Sequence, residues 1–306
     1  MKKILLAGCG QIGFRHVELL SNEKQIDKIY LYDKKIINCR KIINKLSKNL
    51  SKFEIIKDIK KVPKKRIFLC IVSTLSEKRF KLITQIYKYS NPKYMLVEKL
   101  VENDLNEIEK YYKYLKNKKI YVNCSNRMRQ IFKKIKKKFY KKKINLIVSG
   151  GRWNMLSNSI HFFDFVSYVT NSELSNIKIK KIIKWVSSKH KNYKELFGEI
   201  SAKYYDGSTV NLICKENNKK RYITIKNNKQ SMIIDYSDNK IKQPENSTQF
   251  KTQYQSELTK NVFFNLLKKK KIELPLLREN IKQNIILLKE LSNTKLFLGK
   301  KKIMIT

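Results

Sequence analysis

Glycine is scarce in this chain, with eight residues in 306. Histidine is scarcer at three, proline stands at four, and 25 acidic residues face 69 lysines and arginines. Each shortage excludes something. The only histidines are His16, His161 and His190, and the five cysteines form no C-x-x-C pair. No metal-ligand spacing exists, so no structural zinc is expected. The cysteines, Cys9, Cys39, Cys70, Cys124 and Cys214, are odd in number and far apart; they read as reduced, mostly buried thiols. No apolar run approaches the ~20 residues of a membrane span, so no membrane partner is expected. Leu5 to Cys9 after two lysines imitates a lipoprotein signal, but a signal needs an apolar region of ~7–15 residues, and this one is far shorter. The expected compartment is the cytoplasm. The shortage of acid leaves a formal net charge of +44. A charge of that size suits a polyanion partner such as nucleic acid. Yet the lysines are spread over every segment, with isoleucine and asparagine abundant beside them, as an AT-rich coding bias would leave them. The densest run, Lys133 to Lys143, keeps apolar residues at helical spacing and predicts a helix with one buried face. No nucleic-acid motif accompanies it, and no specific nucleic-acid partner is expected.

Against that scarcity, three glycines stand together at the start. Ile4-Leu5-Leu6-Ala7 reads as a buried strand, Gly8-Cys9-Gly10-Gln11-Ile12-Gly13 follows, and Phe14 to Leu20 reads as a helix. This is G-x-G-x-x-G at a strand-to-helix turn, where a dinucleotide fingerprint needs it. Gly8 allows the tight turn, Gly10 lets the backbone approach a pyrophosphate, and Gly13 lets helix pack close to strand. Gln11 and Ile12 complete the loop, and the first turn of the helix turns its N–H groups toward the phosphates. A second strand, Lys28 to Tyr32, ends on Asp33, twenty residues beyond Gly13. That is the spacing of the carboxylate that binds the adenosine ribose hydroxyls. Asp33 favours NAD; Lys34 and Lys35, directly after it, admit NADP as the alternative.

The rest of the first 124 residues alternates. A helix is expected over 34–50, a short strand over Phe53–Ile56, and a continuous apolar strand from Arg66 to Val72 ending in Ser73-Thr74. A helix from Glu77 to Tyr89 follows, then the strand Tyr94–Val97 ending in Glu98-Lys99-Leu100. Asn103 is expected to cap a helix from Asp104 to Leu115, and Ile120–Val122 is a further strand. Such alternation predicts a doubly wound parallel sheet. Ligands bind beyond the carboxyl ends of its strands, and Gly8 to Gly13, Asp33, Ser73, Thr74, Glu98 and Lys99 all lie there. After residue 124 the rhythm changes. Arg127 to Tyr140 reads as helix, Ile144 to Val148 as strand, Ser149 to Ser159 as a polar segment, and His161 to Val166 as part of a helix. Strands around 176–187, 197–205, 208–215, 220–227 and 231–236 then follow without helices between them, with Asp206-Gly207 as a hairpin signal. Helices over Gln255–Lys269 and Leu276–Leu291 close the chain. The boundaries read as a dinucleotide-binding domain at 1–124 and a substrate-binding and oligomerisation domain at 125–306.

These residues resemble the Gfo/Idh/MocA oxidoreductases. The likeness rests on Gly8-Cys9-Gly10-Gln11-Ile12-Gly13 with Arg15-His16, on Val97-Glu98-Lys99, on Asn126-Arg127, and on Ser157-Asn158-Ser159-Ile160-His161-Phe162-Phe163-Asp164. Gln255-Ser256-Glu257-Leu258 and Glu273-Leu274-Pro275 look like members from sugar and surface-polysaccharide metabolism. The resemblance implies an α/β fold: an N-terminal Rossmann doubly wound parallel sheet, plus a C-terminal α/β domain with a mainly antiparallel open sheet. It implies an NAD(P)-dependent oxidoreductase moving a hydride to or from a sugar or nucleotide-sugar carbon, assembled as a homodimer or homotetramer. It also implies that Lys99 stands beside the reacting carbon, that His161 is the acid or base, and that Arg127 and Asn158 join them around the substrate. Asp164 is expected as a structural hydrogen-bonding partner, Trp153 and Asn154 as lining a sugar pocket, and Arg15 and His16 as either near the ligand or on the surface. The chain departs from the family twice. Leu100 stands where the family has proline, after a bond expected to be cis, and Ser157 stands where it has an acid. Those departures open a rival reading, a catalytically impaired dinucleotide-binding sensor. A basic nucleic-acid-binding protein on a Rossmann scaffold is the rival from another class.

Overall fold

The computed structural model describes residues 1–64, 67–217, 220–244 and 246–305. In chain order the elements begin with β1 (Lys2–Ala7), α1 (Gln11–Val17), β2 (Ile26–Tyr32), α2 (Ile36–Lys45), β3 (Phe53–Ile55) and β4 (Ile67–Val72). Then come α3 (Arg79–Tyr89), β5 (Tyr94–Val97), α4 (Leu105–Leu115), β6 (Ile120–Val122), α5 (Gln130–Phe139), β7 (Asn145–Gly151) and α6 (Met155–Thr170). The chain continues through β8 (Leu174–Ser187), β9 (Lys194–Tyr204), β10 (Thr209–Lys215), β11 (Arg221–Lys226), β12 (Ser231–Asp235), β13 (Lys240–Lys242) and β14 (Ser247–Gln249). It closes on α7 (Gln255–Leu267) and α8 (Leu277–Ser292). Arg66, the first residue of the strand read over 66–72, lies outside the described residues. Two compact units result: Met1–Ser125 with Tyr254–Asn280, and Asn126–Gln253 with Ile281–Thr306. The segment carrying α7, beyond the sequence boundary at 124/125, packs with the first unit.

The first unit is built on one parallel sheet in the order β3-β2-β1-β4-β5-β6. Its central strands read as unbroken apolar runs because neither face meets water. Ile4 to Ala7 and Leu69 to Val72 have no solvent exposure at all. Burying each such side chain fully contributes ~1.5–3 kcal/mol, which makes these two strands the stable centre of the unit. The order runs outward on both sides of the β1–β4 pair, so the chain reverses its winding between them. A doubly wound sheet leaves a crevice at that point, above the carboxyl ends. The cap of α4 differs from expectation. Asp104, not Asn103, accepts the N–H of Asn106, and Asn103 is fully buried. Both are capping residue types, and burial decided between them.

The second unit carries an eight-stranded sheet in the order β14-β13-β12-β11-β7-β10-β9-β8. It is antiparallel except for β7 and β10, which run parallel. Tyr205 to Ser208 turns β9 into β10, with Gly207 at φ +79°, a conformation open to glycine. The polar segment expected over 149–159 is not a loop. Its start completes β7, and its end is the first turn of α6. The lysine-rich run is α5, with Ile131, Phe132, Ile135 and Phe139 buried on one stripe and the lysines turned away from it. Phe132 meets Phe165 of α6 edge-on, ring centres 4.7 Å apart. All five cysteines are free and buried. No helix among the described residues is long and apolar enough to cross a membrane.

Candidate functional site

The glycine loop leaves β1 at Ala7, and each glycine there answers a different steric demand. Gly8 has φ +100°, and a Cβ on it would lie 2.6 Å from the backbone of Ser73 and Thr74. A Cβ on Gly13 would lie 2.1 Å from the carbonyl oxygen of Gly8. These two glycines let the β1 turn, the β4 turn and α1 approach one another. Gly10 is different. Its φ of −75° suits any residue, and a Cβ there would meet nothing within 4 Å. The fold does not need a glycine at 10.

The neighbouring strand ends converge on this loop. The Cys9 N–H donates to Asp33 Oδ2 at 2.8 Å, so the carboxylate after β2 is fastened to the loop. Asp33 Oδ1 accepts the N–H of Lys35 at 2.8 Å and the amide of Asn38 at 3.2 Å. On the other side, Ser73 Oγ donates to the Gly8 carbonyl at 2.6 Å, and the Glu98 N–H donates to the Val72 carbonyl at 2.9 Å. The structure thus brings Gly8 to Gly13, Asp33, Ser73, Thr74, Glu98 and Lys99 to adjacent strand ends. Gln11 and Ile12 are exposed there.

Behind Glu98, at the end of β5, lies a set of buried partners not expected from the sequence. His16 is not on the surface; it is fully buried. Its Nδ1 lies 2.8 Å from Thr259 Oγ1 on α7, and its Nε2 lies 3.0 Å from Glu98 Oε1. Asn123 donates to the same carboxylate oxygen. Arg15, by contrast, is on the surface and pairs with Glu18. Burial pushes the Glu98 carboxyl up, but the hydrogen bond and charge of His16, the charge of Lys99 and the Asn123 amide outweigh it and hold Glu98 at about 2. Arg79, the first residue of α3, is buried. Its guanidinium donates to the carbonyls of Thr74, Glu98 and Leu100, tying the β4 turn to the β5 turn. The Lys99–Leu100 peptide bond is cis. Glu102 closes this region from below, accepting the N–H groups of Phe80 and Asn103 at 2.9 Å. Burial outweighs those bonds and the Arg79 charge, raising the Glu102 carboxyl to about 7.

The remaining residues named from the sequence belong to the second unit. Asn158, Ser157 and His161 lie on α6, with Ser157 and His161 four apart and so on one face. His161 is half-buried. Ser157 is not an acid, yet a carboxylate meets it: Glu195 of β9 accepts the N–H groups of Leu156 and Ser157, at 2.9 and 3.1 Å, and the Ser157 hydroxyl. Asn158 donates to the Trp153 carbonyl at 2.8 Å. Trp153 is itself buried, with its indole N–H on the Ile213 carbonyl, so it packs as core, while Asn154 is exposed. Arg127 grips Asp164 in a two-bond fork, both contacts 2.7 Å, and stacks over Tyr168 at 4.6 Å. Among the described residues no group of three or more His, Cys, Asp or Glu is placed to hold a metal.

No protein-family model and no curated protein sequence matches the chain. Solved structures do. UDP-N-acetylglucosamine 3-dehydrogenase GnnA from Acidithiobacillus ferrooxidans superposes with a TM-score of 0.69 at 10% identity, over 98% of this chain and 99% of that one. A dehydrogenase (MviM) from Clostridium difficile gives 0.68 at 14% identity, over 95% and 99%. The transcriptional regulator Gal80p from Kluyveromyces lactis gives 0.68 at 16% identity, over 98% and 90%. At such identities the likeness is one of fold, and the chain has, over nearly its whole length, the α/β fold that the Gfo/Idh/MocA-type oxidoreductases share with a regulator.

Proposed function

We propose that the chain binds NAD at the glycine loop and moves a hydride to or from a hydroxyl or keto carbon of a sugar or nucleotide sugar. The observation that carries this reading is Gly10. A glycine with ordinary φ and empty space above it, between two glycines that the fold does require, supports a pyrophosphate lying against its backbone. Asp33, held by Cys9, Lys35 and Asn38, is oriented to accept ribose hydroxyls. When bound, a nicotinamide dinucleotide supplies the hydride carrier. The chain's own residues do the rest. Lys99, at the end of β5, offers a cation to an oxygen gaining negative charge. His161 takes the hydroxyl proton on an imidazole nitrogen in one direction and returns it in the other. Residues 1–124 serve the dinucleotide, and 125–306 serve the substrate and a homodimer or homotetramer contact. The sugar assignment draws on one dehydrogenase among the structural neighbours, UDP-N-acetylglucosamine 3-dehydrogenase.

The test is a panel of sugars and nucleotide sugars scored for NADH formation, with His161→Asn and Lys99→Ala beside wild type. Both variants are expected to keep NADH affinity. His161→Asn should slow turnover by ~10²–10⁴-fold, the usual worth of general acid–base help. A variant pair as active as wild type would remove these two residues from the chemistry. A second reading is favoured by one comparison: the same fold serves a transcriptional regulator. On that reading the chain binds the dinucleotide as a signal. Tight NADH binding with no turnover across the panel would replace the enzyme with the sensor.

A further inference from the structure

Two of the five cysteines meet at the dinucleotide loop. Cys9 stands between Gly8 and Gly10, and Cys39 is the fourth residue of α2, the helix after Asp33. Their sulfurs are 3.4 Å apart, in direct contact and within hydrogen-bond reach. A disulfide needs ~2.05 Å between sulfurs, so a shift of little more than an ångström joins them. Their surroundings make the contact consequential. The Cys9 N–H holds Asp33 Oδ2, and Asn38, next to Cys39, holds Asp33 Oδ1. The two thiols therefore sit on the two arms that aim one carboxylate.

We propose that Cys9 and Cys39 are a modification site: a thiol pair that a small hydroperoxide converts reversibly into a disulfide, tying the glycine loop to α2 and loosening the grip on Asp33. Cys39 is the attacking sulfur. The Cys39 thiol donates to the Cys9 sulfur; this contact lowers the Cys39 thiol from its ordinary value, while the same contact and then burial push Cys9 up. The Cys39 thiolate attacks one peroxide oxygen, the O–O bond breaks, and hydroxide leaves with a Cys39 sulfenic acid formed. The Cys9 sulfur then attacks the Cys39 sulfur, the S–O bond breaks, and the Cys9 proton leaves with the departing oxygen as water. Two thiols lose two protons and two electrons in all, and hydrogen peroxide becomes two waters. Cys9 is 4% exposed and Cys39 not at all, so the loop exposed at Gly10, Gln11 and Ile12 has to give way before the oxidant meets the pair. A low-molecular-weight thiol reverses the reaction by exchange.

The second half of this proposal rests on the dinucleotide reading, and the experiment separates the two. Full-length protein is treated with a small excess of hydrogen peroxide, and its thiols are counted under denaturing conditions. The expected count falls from five to three, the intact mass falls by two hydrogens, and non-reducing peptide mapping joins Cys9 to Cys39. Dithiothreitol restores five. Cys39→Ser should show no internal disulfide. In wild type, the oxidised form should bind NADH about ten- to hundredfold more weakly, the loss expected when a charge-assisted hydrogen bond is displaced, and NADH added first should slow the oxidation. Five thiols surviving the peroxide, or a map joining other cysteines, would overturn the site. A mapped Cys9–Cys39 disulfide with unchanged NADH affinity would overturn the coupling to Asp33. Failure of the reduced protein to bind any dinucleotide would overturn the function proposed above and the coupling with it, while the peptide map still decides the thiol chemistry.

Discussion

The three glycines of the loop should separate stability from binding. An alanine at 13 puts a methyl 2.1 Å from the Gly8 carbonyl, and the atom it meets is backbone, which cannot swing aside. Overpacking of this kind costs about 1–3 kcal/mol. For a unit of this size each kcal/mol lowers Tm by ~2–4 °C, so Gly13→Ala should melt roughly 2–12 °C below wild type. Gly8→Ala should fall at least as far, since φ +100° is a further penalty for a residue with a Cβ. Gly10→Ala should do the reverse. Its backbone angles suit alanine and its Cβ meets nothing, so restricting the unfolded chain should stabilise by ~0.4–1 kcal/mol. Its methyl would instead occupy the face where the pyrophosphate approaches and weaken NADH binding about tenfold or more; Gly10→Val should enlarge that loss. Scanning fluorimetry without ligand and NADH fluorescence titration read the two effects independently. The reasoning fails if Gly10→Ala loses as much stability as Gly13→Ala, or if it binds NADH like wild type.

Three other outcomes are expected. Glu98 is held at about 2, below its unfolded value, so its contribution is complete above ~4.3 and is lost as pH falls from there toward 2. The shift corresponds to about 3 kcal/mol, and acid unfolding of Glu98→Gln, which keeps the acceptor and drops the charge, should start from lower stability and show a shallower acid limb than wild type. Arg127→Ala removes the fork on Asp164, whose side chain is 1% exposed, and should cost ~3–5 kcal/mol in urea unfolding; a loss under 1 kcal/mol would mean that Asp164 is held without it. Asp33 should repel a 2′-phosphate, so calorimetry should find NAD tighter than NADP, and equal dissociation constants would contradict the assignment.

Most of the first sheet was legible because parallel strands covered on both faces are written as continuous apolar runs. Ile4 to Ala7 and Ile67 to Val72 left little choice. Pairing in the second unit was less legible. Alternation marks β7 and β10 as strands, but nothing local tells β7 to lie parallel to β10 and antiparallel to β11. The strands β13 and β14, three residues each, are too short to show a period of two. The polar letters of 149–159 hid a strand end and a helix start because Ser157 and Ser159 are buried polar residues: Ser157 bonds the distant Glu195 of β9, which no local pattern reveals, and Ser159 bonds back to the Leu156 carbonyl only once the helix has formed.

The glycine loop was readable since its demands are steric and fall on consecutive residues. The residues behind it were not, because their partners come from distant strands and helices. Still, a signal existed. The buried residues of α3 are Arg79, Phe80, Ile83, Ile86 and Tyr87, which form one helical stripe with a guanidinium at its head. Those of α1 are Gly13, His16 and Val17, again one stripe with an imidazole on it. In a chain with 69 basic residues, counting bases singles out nothing. Position on the apolar face does. A charged or polar group there loses its water, and leaving it unsatisfied costs about 1–3 kcal/mol or more. It must therefore find carbonyls or a carboxylate inside the fold. The carbonyls after β4 and β5, and the carboxylate of Glu98, are the acceptors these two side chains reach. The same buried pair that stabilises the first unit thus fixes the strand ends from which Ser73, Thr74, Glu98 and Lys99 emerge, which is why stability and site geometry should respond together when either His16 or Arg79 is replaced.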